Sequence, residues 1–169
     1  KMMAWPGPIL TDSGGFQVMS LSKLRELSEE GVNFQSHIDG KRELLTPEKS
    51  IEIQRKLDST ITMVLDECTA FPISKTLAEE SMGLSMRWAA RSKEAYLARS
   101  GYGLFGIVQG GMYPELRAQS VASLVETGFD GYAIGGLAVG EDNELMHEIT
   151  AYTASRLPVE KPRYLMGVG

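Results

Sequence analysis

Three short segments of this sequence gather residue types that can do chemistry. Thr11-Asp12-Ser13-Gly14-Gly15-Phe16-Gln17 sets a carboxylate and a hydroxyl ahead of two glycines, and glycines let backbone N–H groups come close to a ligand. Asp12 reads either as a general acid/base or substrate anchor, or as the head of an Asx-type turn. Phe16 offers a face for stacking a flat ring, or a core side chain. Leu65-Asp66-Glu67-Cys68-Thr69 adds two carboxylates and a thiol. Neighbours on an extended chain point to opposite sides, so one of Asp66 and Glu67 faces a site and the other packs outside it. No histidine stands at a recognisable spacing from Cys68, which disfavours a nucleophilic thiol. Gly106 to Gly111 contributes Gln109, whose amide both donates and accepts, as reading the edge of a nucleobase requires.

Gly135 to Glu141, GGLAVGE, is a glycine-rich turn ahead of a helical pattern. Such turns often bind phosphate, but the spacing matches neither dinucleotide nor Walker motifs. His37, His147 and the single Cys68 make no metal-ligand cluster, so no metal site is expected in this chain. Together the polar groups suit a guanine-type base. Its ring N–H and exocyclic amine can both donate to one carboxylate, and its carbonyl can accept from Gln109 or glycine amides. Many other polar ligands would fit as well.

Each of these segments follows a short apolar run. The runs are Pro8 to Leu10, Ile61 to Leu65, Leu104 to Val108, Gly131 to Ile134 and Arg163 to Met166. Four or five residues without polar alternation suit strands covered on both faces, as in a parallel sheet. Helical patterns lie between them: Thr46-Pro47 through Leu57, Ser74 or Thr76 to about Arg99, Pro114 to Gly128, and Glu141 to Arg156. The first three openings carry a cap or a first-turn proline. In the second, Leu77, Leu84, Trp88 and Ala95 are the expected buried stripe. Val32 to Leu45 departs from the rhythm, and its central Asp39-Gly40 signals a β-hairpin.

Strand, loop, helix, repeated, is α/β architecture. Both an open doubly wound sheet and a (β/α)8 TIM-type barrel fit. Asp12, Asp66, Gln109, Gly136 and Gly167 all follow strand ends, and a barrel gathers such positions around one mouth. The expectation is therefore part of such a barrel, with the hairpin near residues 32–45 as an excursion. A barrel takes eight strands and typically ~250 residues, so this chain of 169 cannot close one. No apolar stretch approaches the ~20 residues of a membrane span. A net charge of −5 argues against broad nucleic-acid binding, leaving only a local basic patch for any RNA. One cysteine excludes an internal disulfide and suits the cytoplasm.

The segments TDSGGFQVMSL, SHIDG, LTPEKSIEIQ, LDECT, SMRWAARS, GIVQGG, GFDGYAIGGLAVGE and YLMGVG occur in an order and spacing that resembles the bacterial tRNA-guanine transglycosylase family, across practically the whole chain. The resemblance implies a transferase of queuosine biosynthesis, a pentosyltransferase. It would exchange guanine at the tRNA anticodon wobble position for 7-aminomethyl-7-deazaguanine through a covalent aspartyl-RNA intermediate. It implies Asp12 as general acid/base and a substrate pocket of Asp12, Ser13, Gly14, Gly15, Phe16, Asp66, Cys68, Gln109, Gly136, Leu137, Glu141 and Met166. Phe16 and Met166 would sandwich the ring, and Glu141 would support the loop that meets the aminomethyl group. Val139 and Cys68 resemble the bacterial form. Gly167, Val168 and Gly169 would begin an RNA-contacting stretch. A structural zinc, a homodimer and tRNA as partner also follow from the resemblance. Residues 1–169 would be a single fragment of the catalytic barrel, without its first and last strands, the zinc-binding subdomain or the nucleophilic aspartate. The alternative is a non-catalytic partner subunit that binds tRNA or base.

Overall fold

The computed structural model describes residues 4–21, 25–36 and 38–168. Helices and strands alternate in the order α1 (Gly15–Leu21), β1 (Arg25–Leu27), β2 (Val32–Gln35), β3 (Arg42–Leu45), α2 (Pro47–Lys56), β4 (Ile61–Met63), α3 (Lys75–Ala95), β5 (Gly103–Val108), α4 (Pro114–Thr127), β6 (Gly131–Ile134), α5 (Asn143–Ala154) and β7 (Arg163–Leu165). Strands β4-β5-β6-β7 form one parallel sheet in chain order. Helices α2, α3, α4 and α5 pack each against the next, as they do when successive crossovers share a hand and a face of the sheet. The four strands form an open sheet and not a closed barrel.

The core lies between this sheet and its helices. Leu104, Ile107, Val108, Tyr132, Ala133 and Ile134 are buried in the two central strands and pack with Leu124 of α4 and Ile149 of α5. Both central strands are covered on both faces, which is why their sequence shows no alternation. The first apolar run is shorter than expected. Only Leu10 bridges to Ile61, and Thr11 N–H donates to the Ile61 carbonyl. Gln54 of α2 takes over part of the missing pairing: its amide donates to Met63 O at 2.8 Å and accepts from Met63 N at 2.9 Å.

Three details differ from the expected elements. The hairpin β2–β3 forms, but β1 joins it as a third antiparallel strand; three residues are too few to show a period. Helix α3 stops at Ala95, because Tyr96 turns to extended backbone. Its buried face is Ala78, Ser81, Met82, Ser85, Trp88, Ala89 and Ser92, while Leu77 is exposed. Only Trp88 of the expected stripe holds the centre. It packs on Val32, Leu45 and Leu65 and donates its indole N–H to Glu29 O at 3.0 Å. Arg87 forms a bidentate pair with the Glu29 carboxylate, and Arg91 reaches the Glu29 and Glu30 carbonyls. The hairpin sheet is thereby pinned to α3.

Candidate functional site

A cavity of about 340 Å³ opens where β4, β6 and β7 end and where the chain turns after Leu10. Its size falls in the range of small-molecule sites. Asp12, Phe16, Asp66, Cys68, Gly136, Leu137, Met166 and Gly167 all line it. Leu10, Gln17, Ala138 and Tyr164 line it too; of these only Gln17 is a polar residue of the opening motif, and the other three carry no signal of their own in the sequence.

Asp66 occupies the deepest polar position, 6% exposed. Its neighbours hold it there. Leu65 N–H donates to Ser92 Oγ at 3.4 Å and Glu67 N–H to Ser85 Oγ at 2.9 Å. These two bonds to α3 fix the backbone on either side of Asp66. Glu67 lines a separate groove with Glu29, Glu80 and Arg87. Burial, first of all, pushes the Asp66 carboxyl up to about 7; the bond from Gln109 opposes this and the charge of Asp12 adds to it.

Gln109 is placed differently from the expectation that it faces the ligand. It is 2% exposed, it is not among the lining residues, and its Nε2 donates to Asp66 Oδ2 at 2.6 Å. Its own N–H donates to Ser120 Oγ of α4 at 3.1 Å. Sequence shows an amide at a strand end, but not that the carboxylate of the adjacent strand lies within its reach.

The Asp12 loop is fixed by small residues. Asp12 is exposed, and its Oδ1 accepts from the Ser13 N–H at 2.7 Å. The Asp12 carboxylate lies on the cavity wall while it holds the next residue's N–H. Ser13 is buried, its carbonyl accepting from Ser50 Oγ at 2.7 Å. Gly14 has φ +87°, and a Cβ on Gly15 would lie 2.7 Å from the Asp66 carbonyl. Only glycine permits that approach of α1 to β4. Phe16 on α1 is 49% exposed, on the cavity side.

The turn after β6 forms the opposite wall. Gly136 has φ +64°. Glu141 folds back and accepts from Ala138 N at 2.5 Å and Val139 N at 2.9 Å, fixing the loop. Arg117 of α4 lies beneath it, 0% exposed. Burial draws its guanidinium down to about 10, so it stays charged at neutral pH. Nothing in its helical context, Leu116-Arg117-Ala118, marked it for a site. Cys68 is half-buried; burial first, then the Asp66 charge, pushes its thiol up to about 12. Such a thiol is inert, not nucleophilic.

Among the described residues no group of three or more His, Cys, Asp or Glu side chains could hold a metal ion. His147 is exposed on α5 and Cys68 lies in the cavity wall. The residues here do not fit a zinc site. Gly167 and Val168 follow β7 and are exposed; Gly169 and His37 lie outside the described residues. No helix among those residues is long and apolar enough to cross a membrane.

The ends of a parallel α/β sheet thus meet at one cavity lined by a buried carboxylate, an exposed carboxylate and a glycine turn. The family model for queuine tRNA-ribosyltransferase matches residues 1–169, and the chain belongs to that family. It is 64% identical over its whole length to a queuine tRNA-ribosyltransferase of Granulibacter bethesdensis, covering 45% of that protein. It is 62% identical to the one of Rickettsia typhi, covering 47% of it. The chain thus spans just under half the length of these curated relatives.

Proposed function

We propose that this chain is the base-reading and acid/base part of a tRNA-guanine transglycosylase, which exchanges wobble guanine in tRNA for 7-aminomethyl-7-deazaguanine. One observation carries the reading: Asp12, Asp66 and the Gly136 turn line a single cavity, as do Phe16 and Met166. Asp66 would accept from the base N–H and amine, and the Gly136 turn would donate to its carbonyl. Phe16 and Met166 would hold the ring between them. Asp12, on the exposed side, would give a proton to the departing guanine and take one from the arriving base. The carboxylate that attacks the ribose anomeric carbon is assigned to a residue outside this chain, as are the zinc ligands, most of the tRNA surface and the homodimer contacts. The sheet supports an arc of a (β/α)8 barrel: its strands run parallel in chain order, with their helices packed in sequence. A doubly wound sheet would reverse that order at a switch point.

The test is incorporation of labelled guanine into tRNA by the full reading frame that carries this chain, beside the 169-residue chain alone. The full reading frame should exchange and the chain alone should not. No exchange by the full reading frame would instead favour a non-catalytic partner subunit.

A further inference from the structure

Arg117 makes four hydrogen bonds, and every one ends on a backbone carbonyl. Its Nε donates to Gly111 O at 2.8 Å, its Nη1 to Val108 O at 3.1 Å and Gly135 O at 2.7 Å, and its Nη2 to Gly136 O at 3.2 Å. A fully buried cation usually meets a carboxylate; this one holds the turns after β5 and β6 instead. Bonds to Val108 and Gly111 alone would brace the turn that precedes α4. The reach across to Gly135 and Gly136 does something more. A trans peptide points its C=O and its N–H in opposite directions. With the Gly135 and Gly136 carbonyls drawn down to the guanidinium, the N–H groups of Gly136 and Leu137 face away from it. That side is the cavity wall, where Gly135 to Ala138 are lining residues beside Cys68. Among the described residues neither N–H donates to an oxygen. Glycine at two successive positions also makes this turn easy to flip, since both hands of φ are open to it.

We propose that Arg117 is a positioning residue of the base site. It fixes the polarity of the Gly135-Gly136-Leu137 peptides so that the wall offers donors beside the Asp66 acceptor, and so selects a ring carrying a carbonyl next to an N–H. Without the cation the peptides could turn over and set carbonyl against carbonyl. This rests on the guanine reading above.

The experiment uses the full reading frame with Arg117→Lys and Arg117→Met. It measures KM for guanine, KM for tRNA, and inhibition by 2-aminopurine, which lacks the carbonyl and its adjacent N–H. A lysine keeps the charge but cannot span four carbonyls. Its guanine KM should rise about 10-fold, with tRNA KM and 2-aminopurine inhibition unchanged, and Arg117→Met should lose more. A parental guanine KM in both variants overturns the proposal. So does an equal weakening of guanine and 2-aminopurine, or failure of both variants to fold, since each reduces Arg117 to a structural brace. If the parent itself does not use guanine, the base reading has failed before the Arg117 proposal is reached, a separate result from a parent that exchanges and variants that match it.

Discussion

Gln109 Nε2 donates to Asp66 Oδ2 at 2.6 Å, joining the ends of two adjacent parallel strands beneath one cavity. The bond occupies one carboxylate oxygen and directs the other toward the space above. It also opposes the pull of burial, so Asp66 titrates near 7 and is partly charged in neutral solution.

Base recognition should therefore depend on pH. The acceptor of two donors is the ionised carboxylate, so guanine affinity should improve as pH rises through about 7 and level off above it. Asp66→Asn turns a donor toward a donor, which costs about 1–3 kcal/mol, or roughly 5- to 150-fold in guanine KM. Asp12→Asn should instead lower turnover more than affinity. Steady-state exchange by the full reading frame from pH 5.5 to 8.5 checks all three; an Asp66→Asn enzyme with parental guanine KM would remove Asp66 from the pocket.

Folding stability should carry the opposite sign. In the unfolded chain Asp66 titrates at its ordinary ~3.9, against about 7 in the fold. Between those values the folded state holds more protons than the unfolded one, so stability falls as pH rises from about 4 to 7 and is flat beyond. Asp66→Asn removes that decline and should gain on the parent across the same window. Urea melts at pH 4.5, 6 and 8 decide the matter; parallel curves for parent and variant would mean the carboxyl is solvated.

Gly136→Ala should damage the pocket through geometry alone. The new Cβ would overlap Gln109 Oε1, and φ at this position is +64°. A non-glycine residue there costs on the order of 1–3 kcal/mol. Displacing Gln109 would also loosen its bond to Asp66. We expect a lower melting temperature together with a higher guanine KM, and an alanine variant equal to the parent in both would show that the turn has room.

Cys68 is the sole cysteine, so thiol labelling reports one site. With its thiol pushed up to about 12, only about 10⁻⁴ of it is thiolate at pH 8, against roughly a quarter of an ordinary cysteine. Labelling by a maleimide should run at least ~100-fold slower than in the urea-unfolded chain. A rate within tenfold of the unfolded control would contradict the buried, anion-flanked setting.

The parallel sheet, its helices and the hairpin were legible because uninterrupted apolar runs and caps are local signals. Asp12, Asp66 and Gly136 were legible as strand-end polar or glycine residues, and they line one cavity. What sequence could not show lay in contacts between segments. Gln109 reads from the sequence as a contact to a ligand, and in the structure its amide donates to Asp66, because the neighbouring strand puts a carboxylate within its reach. Arg117 was invisible, since a charged residue on a helix is ordinarily solvated. The α3 stripe was legible only in part: Trp88 is buried and Leu84 and Ala95 pack against the core, but Leu77 is exposed and Ser81, Ser85 and Ser92, which hydropathy counts as surface, share the buried face.

Those serines tie an enzyme-like pocket to the register of a helix. Ser85 and Ser92 are seven residues apart, two turns, and therefore stand on one face. Each grips an amide flanking Asp66, so α3 works as a ruler laid along the strand end. A one-residue insertion between Met82 and Ser85 would turn Ser85 and Ser92 by about 100° relative to Ala78, Ser81 and Met82, so the two halves of the buried face could not both stay in place. Sequence drift on the outer side of α3 is thus free in residue type but not in length, and gaps in this helix should be far rarer among functional relatives than substitutions.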